Sequence, residues 1–191
     1  MTNSIKYSLG VLGFLFLLFL YNKNSQDSYK MVSQSIFDGS ADDVFRIQLS
    51  EDNKEIELIR KDSTWSISNV DSLIVKENQI AKIFDRLLMV EKEILITNKE
   101  EKWEKFGVDD SLARHIQIYD NNDNEIIHYL FGNSGQDWQH NYVRKNGSSD
   151  VYRTNDNVFF LLNTNTTYWG QKPPDPKPVV NPDSTATIDP Q

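Results

Sequence analysis

Residues 9–20, Leu9-Gly10-Val11-Leu12-Gly13-Phe14-Leu15-Phe16-Leu17-Leu18-Phe19-Leu20, are apolar or small at every position, and no helical face is set apart from another. A helix that is hydrophobic all round is buried, in a large core or in a bilayer. Counted from Ile5, with Lys6 reaching back to the headgroups, the stretch is about 17 residues or about 26 Å of helix. That is just long enough for a hydrocarbon core of about 30 Å. Tyr7 and Tyr21 stand at its ends, where interfacial aromatics belong. Asn22-Lys23-Asn24-Ser25-Gln26-Asp27 offers no small-x-small cleavage site, and Ser33-Gln34-Ser35 lies too far downstream. The expectation is an uncleaved signal anchor over 1–21, ahead of a cleaved signal peptide or a buried core helix. Lys6 on one side and Lys23 and Lys30 on the other leave the flanking charges undecided. An N-in anchor exporting the rest of the chain is the simpler topology, because only the C-terminal side has enough chain to fold.

Beyond the anchor the pattern changes period. Phe45, Ile47 and Leu49 alternate with polar residues; Glu51-Asp52-Asn53-Lys54 turns; Glu55-Ile56-Glu57-Leu58 returns; and Asp62-Ser63 turns again into Thr64-Trp65-Ser66-Ile67. Period-two runs joined by short polar clusters predict an antiparallel meander. Ile80, Ile83, Phe84, Leu87 and Leu88 then fall at helical spacing, predicting an amphipathic helix over about 76–90 with Lys82, Asp85 and Arg86 on its polar side. A strand follows at 93–97. A short helix is predicted around Trp103 and Phe106, with Asn98 and Glu101 as a capping box and Gly107 as a left-handed stop.

Strands resume at 114–119 and 125–132, and again on either side of Asn146-Gly147, a hairpin signal. Val158 to Leu162 closes the domain as a short helix capped near Asn155 or Asp156. Ile47-Gln48-Leu49…Asn53-Lys54-Glu55-Ile56 resembles Ile116-Gln117-Ile118…Asp123-Asn124-Glu125-Ile126, with one residue's difference in the loop. This reads as two copies of a meander-plus-helix unit; chance likeness between two hairpins in an Asn- and Ile-rich chain is the competing reading. The fold class is therefore α+β, antiparallel meanders with packed helices. The domains are an anchor over 1–21, a polar spacer over 22–41, a folded body over 42–169 and a tail over 170–191. The tail holds all six prolines and too little apolar surface to order itself.

Composition removes several functions. The 191 residues include no cysteine, which excludes a disulfide scaffold, a zinc ribbon, a thiol nucleophile and a lipid-modified cysteine. A net charge of −8 argues against nucleic acid, which demands a basic stripe. No catalytic motif is present, and no cofactor, metal or catalytic residue is assigned. His115 and His128 lie on neighbouring strands of one predicted hairpin without further ligands at metal spacing. Asp120-Asn121-Asn122-Asp123-Asn124 resembles the start of a calcium loop but continues with Glu125 and Phe131 where Gly and Glu are needed. A hidden enzyme would need distant carboxylates such as Asp109 or Asp137 to converge. Trp138, Tyr142, Tyr152 and Trp169 cluster late in the chain. They are the candidate interaction surface, either core and sheet packing or an exposed platform for protein or glycan.

Several segments carry a family resemblance in their order: Trp65-x-Ile67, the Ile80/Ile83/Phe84/Leu87 helix, Lys105-Phe106-Gly107-Val108-Asp109, Leu130-Phe131-Gly132, Tyr142-Val143-Arg144 and Val151-Tyr152. Together they resemble the uncharacterised bacterial family of membrane-anchored extracytoplasmic domains encoded beside gliding-motility-type ABC transporters. The chain departs from it in lacking a Pro between Trp65 and the helix and in having Val108 where Leu is usual. The resemblance implies no catalytic residue. It implies a single-pass inner-membrane protein, its C-terminal domain outside the cytoplasm. Its expected role is that of a non-enzymatic interaction subunit of an ABC-transporter or envelope complex. An envelope glycan- or small-solute-binding module is the alternative. The anchor would be formed by Leu9, Val11, Leu12, Phe14, Leu15, Phe16, Leu17, Leu18, Phe19 and Leu20.

Overall fold

The structure is a computed structural model, and it describes residues 3–26, 31–133 and 138–175. Helix α1 (Asn3–Gln26) comes first. Its side chains from Leu9 to Leu20 are all exposed, the large ones by 44–65%. Among the described residues no helix is long and apolar enough to cross a membrane. The run described to the side chain, 9–20, amounts to about 18 Å of helix.

The strands are β1 (Met31–Ser35), β2 (Arg46–Glu51), β3 (Lys54–Lys61), β4 (Thr64–Ile67), β5 (Ile74–Val75), β6 (Glu91–Thr97), β7 (Arg114–Tyr119), β8 (Glu125–Gly132), β9 (Tyr142–Lys145), β10 (Val151–Thr154) and β11 (Gly170–Gln171). Nine of them form one antiparallel sheet in the order β1-β6-β10-β9-β8-β7-β2-β3-β4, and β5 pairs with β11 apart from it. Helices are few: α2 (Glu77–Lys82), α3 (Trp103–Phe106) and α4 (Thr166–Trp169). The architecture is thus mixed α+β around one large sheet.

Strand alternation places Ile47, Leu49, Ile56, Leu58, Ile116, Ile118, Ile127, Tyr129, Phe131 and Val143 on one face, all buried. Ile80, Ile83, Leu87 and Leu88 of the α2 region, with Leu161, Leu162 and Trp169, close over them. Each such side chain contributes about 1.5–3 kcal/mol when fully buried. The apolar pattern at 80–88 is therefore satisfied, yet the helix is not uniform. After Lys82 it widens into a π turn over Ile83–Leu87, whose Leu88 N–H bonds the Ile83 carbonyl at 2.9 Å.

The two similar hairpins meet at the centre. β2 pairs with β7 so that Ile47 faces Ile118, Gln48 faces Gln117 and Leu49 faces Ile116, a register that is its own mirror about the Gln pair. Leu49 pairs with Ile56, but Ile118 pairs with Ile127, because the β7–β8 register slips between Ile118 and Tyr119. The structural counterpart of Ile56 is hence Ile127, buried, and not Ile126, which is 37% exposed. A bulge shifts facing by one residue, which linear matching cannot register.

Three further predictions need correction. β1 falls inside the expected spacer and pairs with β6, and Ile36 is buried at 3%, so the sheet begins upstream of residue 42. Asn98 is not a cap. A 3-10 turn at Glu100–Lys102 precedes α3 without a side-chain cap, and the capping box stands at Ser40 and Asp43 instead. The helix expected over 158–162 is a 3-10 turn, Phe159–Leu161, which begins at Val158 without a side-chain cap and not at Asn155 or Asp156, and α4 follows it. Gly107 does take the left-handed conformation, at φ 63. Residues 176–191 of the expected tail lie outside the described residues.

Candidate functional site

Trp65-x-Ile67 and the Ile80/Ile83/Phe84/Leu87 helix pack into the main core, whereas the Lys105–Asp109, Gly132 and Tyr142–Arg144 segments meet on the second face of the sheet, and what they build there is a clasp. α3 and the Gly107 turn lay Phe106 on Tyr142, ring centroids 4.7 Å apart. Val108, Ala113, Leu130 and Val151 are buried beneath them. Arg144, only 2% exposed, donates from Nε to the Val108 carbonyl at 2.9 Å and from Nη2 to Asp110 at 2.7 Å, with its guanidinium 3.7 Å from the Trp103 ring centroid. A buried charge is tolerated only when paired and hydrogen-bonded in this manner. Asp109 turns the chain. Burial works against its ionisation, but the Ser111 hydroxyl and the Ser111 and Leu112 N–H groups outweigh it and hold the carboxyl below the usual range. Asp109 shapes this turn through Oδ1, while its Oδ2 is buried without a hydrogen-bond partner among the described residues, and Asp137 lies outside the described residues.

The four late aromatics do not share a surface. Tyr142 pairs with Arg153 and Val143 with Tyr152, so the two tyrosines project from opposite faces. Tyr142 belongs to the clasp. Tyr152 packs against the main core, and burial followed by Asp150 raises its phenol above the ordinary value. Trp169 is 0% exposed, edge-on to Tyr168 at 5.0 Å, and its indole N–H donates to the Asn163 carbonyl. As a contact residue it is excluded by burial. Tyr142 and Tyr152 are half-buried, and of the four Trp138, 74% exposed, is the one broadly presented to solvent.

Around Trp138 lies a groove of about 540 Å³, lined also by Arg86, His140, Asp156, Asn157 and Phe160. Asn141 builds it. This side chain is fully buried; its Oδ1 accepts from the Val158 and Phe159 N–H groups at 2.7 and 3.2 Å, and its Nδ2 donates to the Gly132 carbonyl at 3.4 Å. So held, the 159–161 turn buries Leu161 and leaves Phe160 47% exposed at the groove. Asn157 Nδ2 donates to the Trp138 carbonyl at 2.9 Å. Trp138 itself sits at φ 56, a left-handed conformation that for a bulky aromatic costs about 1–3 kcal/mol. From the opposite wall the π turn sends Arg86 across: its Nε and Nη2 reach Asp156 Oδ2 at 3.2 and 2.5 Å, and its guanidinium lies 5.2 Å from the Phe160 centroid. Sequence reading placed Arg86 on a polar helix face and Asp156 near a cap, and no linear signal joins them to Phe160.

The histidine pair is real as geometry. His115 Nδ1 and His128 Nε2 share a hydrogen bond of 3.1 Å, and His128 Nδ1 stands 3.7 Å from Glu125. Burial pushes the His128 imidazole down, the Glu125 carboxylate opposes that, and His115 adds to it. Asp120 closes its hairpin by accepting from Asn122 and Asn124. Among the described residues no group of three or more His, Cys, Asp or Glu is placed to hold a metal ion.

A family model described as a domain of unknown function, DUF4340, matches residues 65–173, more than half of the chain. The matched span contains the clasp and the groove but begins after β2 and β3, the strands that extend the sheet beyond β7. No curated protein and no solved structure matches.

Proposed function

The chain belongs to the DUF4340 family of domains of unknown function, and from that premise we propose that it is a membrane-tethered, non-enzymatic accessory protein. In this reading α1 is an uncleaved anchor in the inner membrane. The sheet domain stands outside the cytoplasm as an interaction subunit of an ABC-transporter or envelope complex. One observation carries it: the large apolar side chains of α1 from Leu9 to Leu20 are 44–65% exposed on every side of the helix. At about 25 cal/mol per Å² of apolar surface left in water, such a helix is costly in solution and favoured in lipid. Counted from Ile5, the stretch of about 26 Å falls only a few Å short of the hydrocarbon core, and local thinning of the bilayer accommodates the difference at a fraction of a kcal/mol per Å. Tethering replaces part of the association entropy by effective concentration near a membrane partner.

Support for a non-enzymatic role comes from how the reactive groups are used. Asp109 caps a turn, Arg144 is locked under Trp103, and His115 and His128 bond each other. The test is alkaline carbonate extraction of native membranes, followed by mild-detergent pull-down with a version lacking residues 1–26 as control. Retention in the carbonate-washed pellet and co-purification of transporter subunits with the full chain are the expected results. Release by carbonate would end the anchor, and recovery of the protein alone, under conditions that preserve other membrane complexes, would end the stable-complex reading.

A further inference from the structure

Two backbone irregularities, the π turn that carries Arg86 and the left-handed Trp138, open onto the same groove. Each departs from the cheapest local geometry, and such departures gather where a side chain must be aimed. We propose that this groove is a binding site for a neutral oligosaccharide, an inference that goes beyond the accessory role and stands without it.

The chemistry of the lining selects the ligand class. Two aromatic rings, Trp138 and Phe160, are exposed at one concavity. A pyranose ring offers a matching apolar C–H face, which packs on the negative face of an aromatic quadrupole. Among the described residues that line the groove, the Asp, Glu, Lys and Arg side chains are Arg86 and Asp156, which bind each other, with the imidazole of His140 beside them. The pair is neutral as a unit, so the described lining offers no excess charge to attract phosphates or acidic or basic peptides. The ion pair is one-sided: both guanidinium contacts go to Asp156 Oδ2. Among the described residues this leaves Asp156 Oδ1 as an acceptor and Arg86 Nη1 as a donor for the hydroxyls that rim a sugar. Ordered aromatic platforms with a few placed polar groups are the general form of a small-ligand site.

The experiment is an array of neutral oligosaccharides (β-1,4-glucose, β-1,4-N-acetylglucosamine and α-1,4-glucose oligomers) with acidic glycans included for contrast. It is probed with the full chain in a polyoxyethylene detergent, since sugar-headed detergents would compete. Trp138→Ala, Phe160→Ala and Arg86→Gln are run in parallel, and near-UV circular dichroism verifies that each is folded. The expected result is retention on at least one neutral series, falling tenfold or more in each aromatic variant and severalfold in Arg86→Gln. Absence of any neutral retention, retention only on acidic glycans, or retention unchanged in a folded aromatic variant overturns the proposal. Loss of a co-purifying membrane protein in Trp138→Ala without any glycan retention would make the groove a protein-docking surface. That outcome overturns the saccharide site and leaves the accessory reading intact.

Discussion

Replacing Gly132 with alanine tests whether the clasp over the second sheet face holds the domain together. A Cβ at Gly132 would lie 1.9 Å from the Phe106 carbonyl oxygen and 3.0 and 3.1 Å from the carbonyl carbons of Phe106 and Gly107. Carbon–oxygen approaches are normally about 3.3–3.6 Å, so the Phe106–Gly107 backbone must retreat by more than about 1 Å. That retreat forfeits the Phe106–Tyr142 ring contact, worth about 0.5–1.5 kcal/mol. It also breaks the Arg144–Val108 bond, which as a charged hydrogen bond is worth about 1.5–3 kcal/mol. Part of the burial of Val108 goes with it, about 1 kcal/mol. The expected loss is about 3–5 kcal/mol, or roughly 10 °C in Tm for a domain of this size. The assay is thermal unfolding of the full chain in detergent, read by near-UV circular dichroism. Gly147→Ala is the control: it has φ 76 and nothing within 4 Å of the added carbon, so it should cost only the left-handed strain of about 1–2 kcal/mol. A Gly132→Ala protein melting within about 2 °C of wild type would refute the reasoning, since the loop would then be free to yield.

Two further expectations follow from placement. Trp169→Ala should lower stability by about 3–5 kcal/mol, because Trp169 is wholly buried, whereas Trp138→Ala should leave the urea midpoint nearly unchanged; equal effects would contradict the assigned burial. The His128 imidazole is held below its ordinary value of 6.5, first by burial, with Glu125 and Asp110 opposing and His115 and Arg144 adding. A depressed base is protonated more readily in the unfolded chain, so its contribution is complete above pH 6.5 and is lost as pH falls below it. Wild type should therefore lose more Tm between pH 7.5 and 5.5 than His128→Asn, and parallel profiles for the two would sink the assignment.

Period and punctuation in the sequence determined much of this protein. Alternation at Phe45-Ile47-Leu49 and at Ile116-Ile118, the 80–88 spacing and Gly107 each set local structure through nearest neighbours on one element. Those features placed most strands, the covering helix and the left-handed stop. Other features were decided by partners distant in sequence. β1 has few apolar residues, and its strand state depends on pairing with β6 some sixty residues away. The off-register bulge at Ile118/Tyr119 sets which isoleucine faces inward, and nothing in the Asp120–Asn124 turn announces it. Trp138, Tyr142, Tyr152 and Trp169 look equivalent along the chain, but strand parity sends two half-buried tyrosines to opposite faces, closure of the core buries Trp169 and Trp138 stands broadly exposed. The groove is legible least of all: Arg86, Trp138, Asp156 and Phe160 meet because a π turn and a buried Asn141 bring separate segments together. Local chemistry selects elements over a few residues, whereas a site is made by closing long loops, and that is settled only by the packing of the whole.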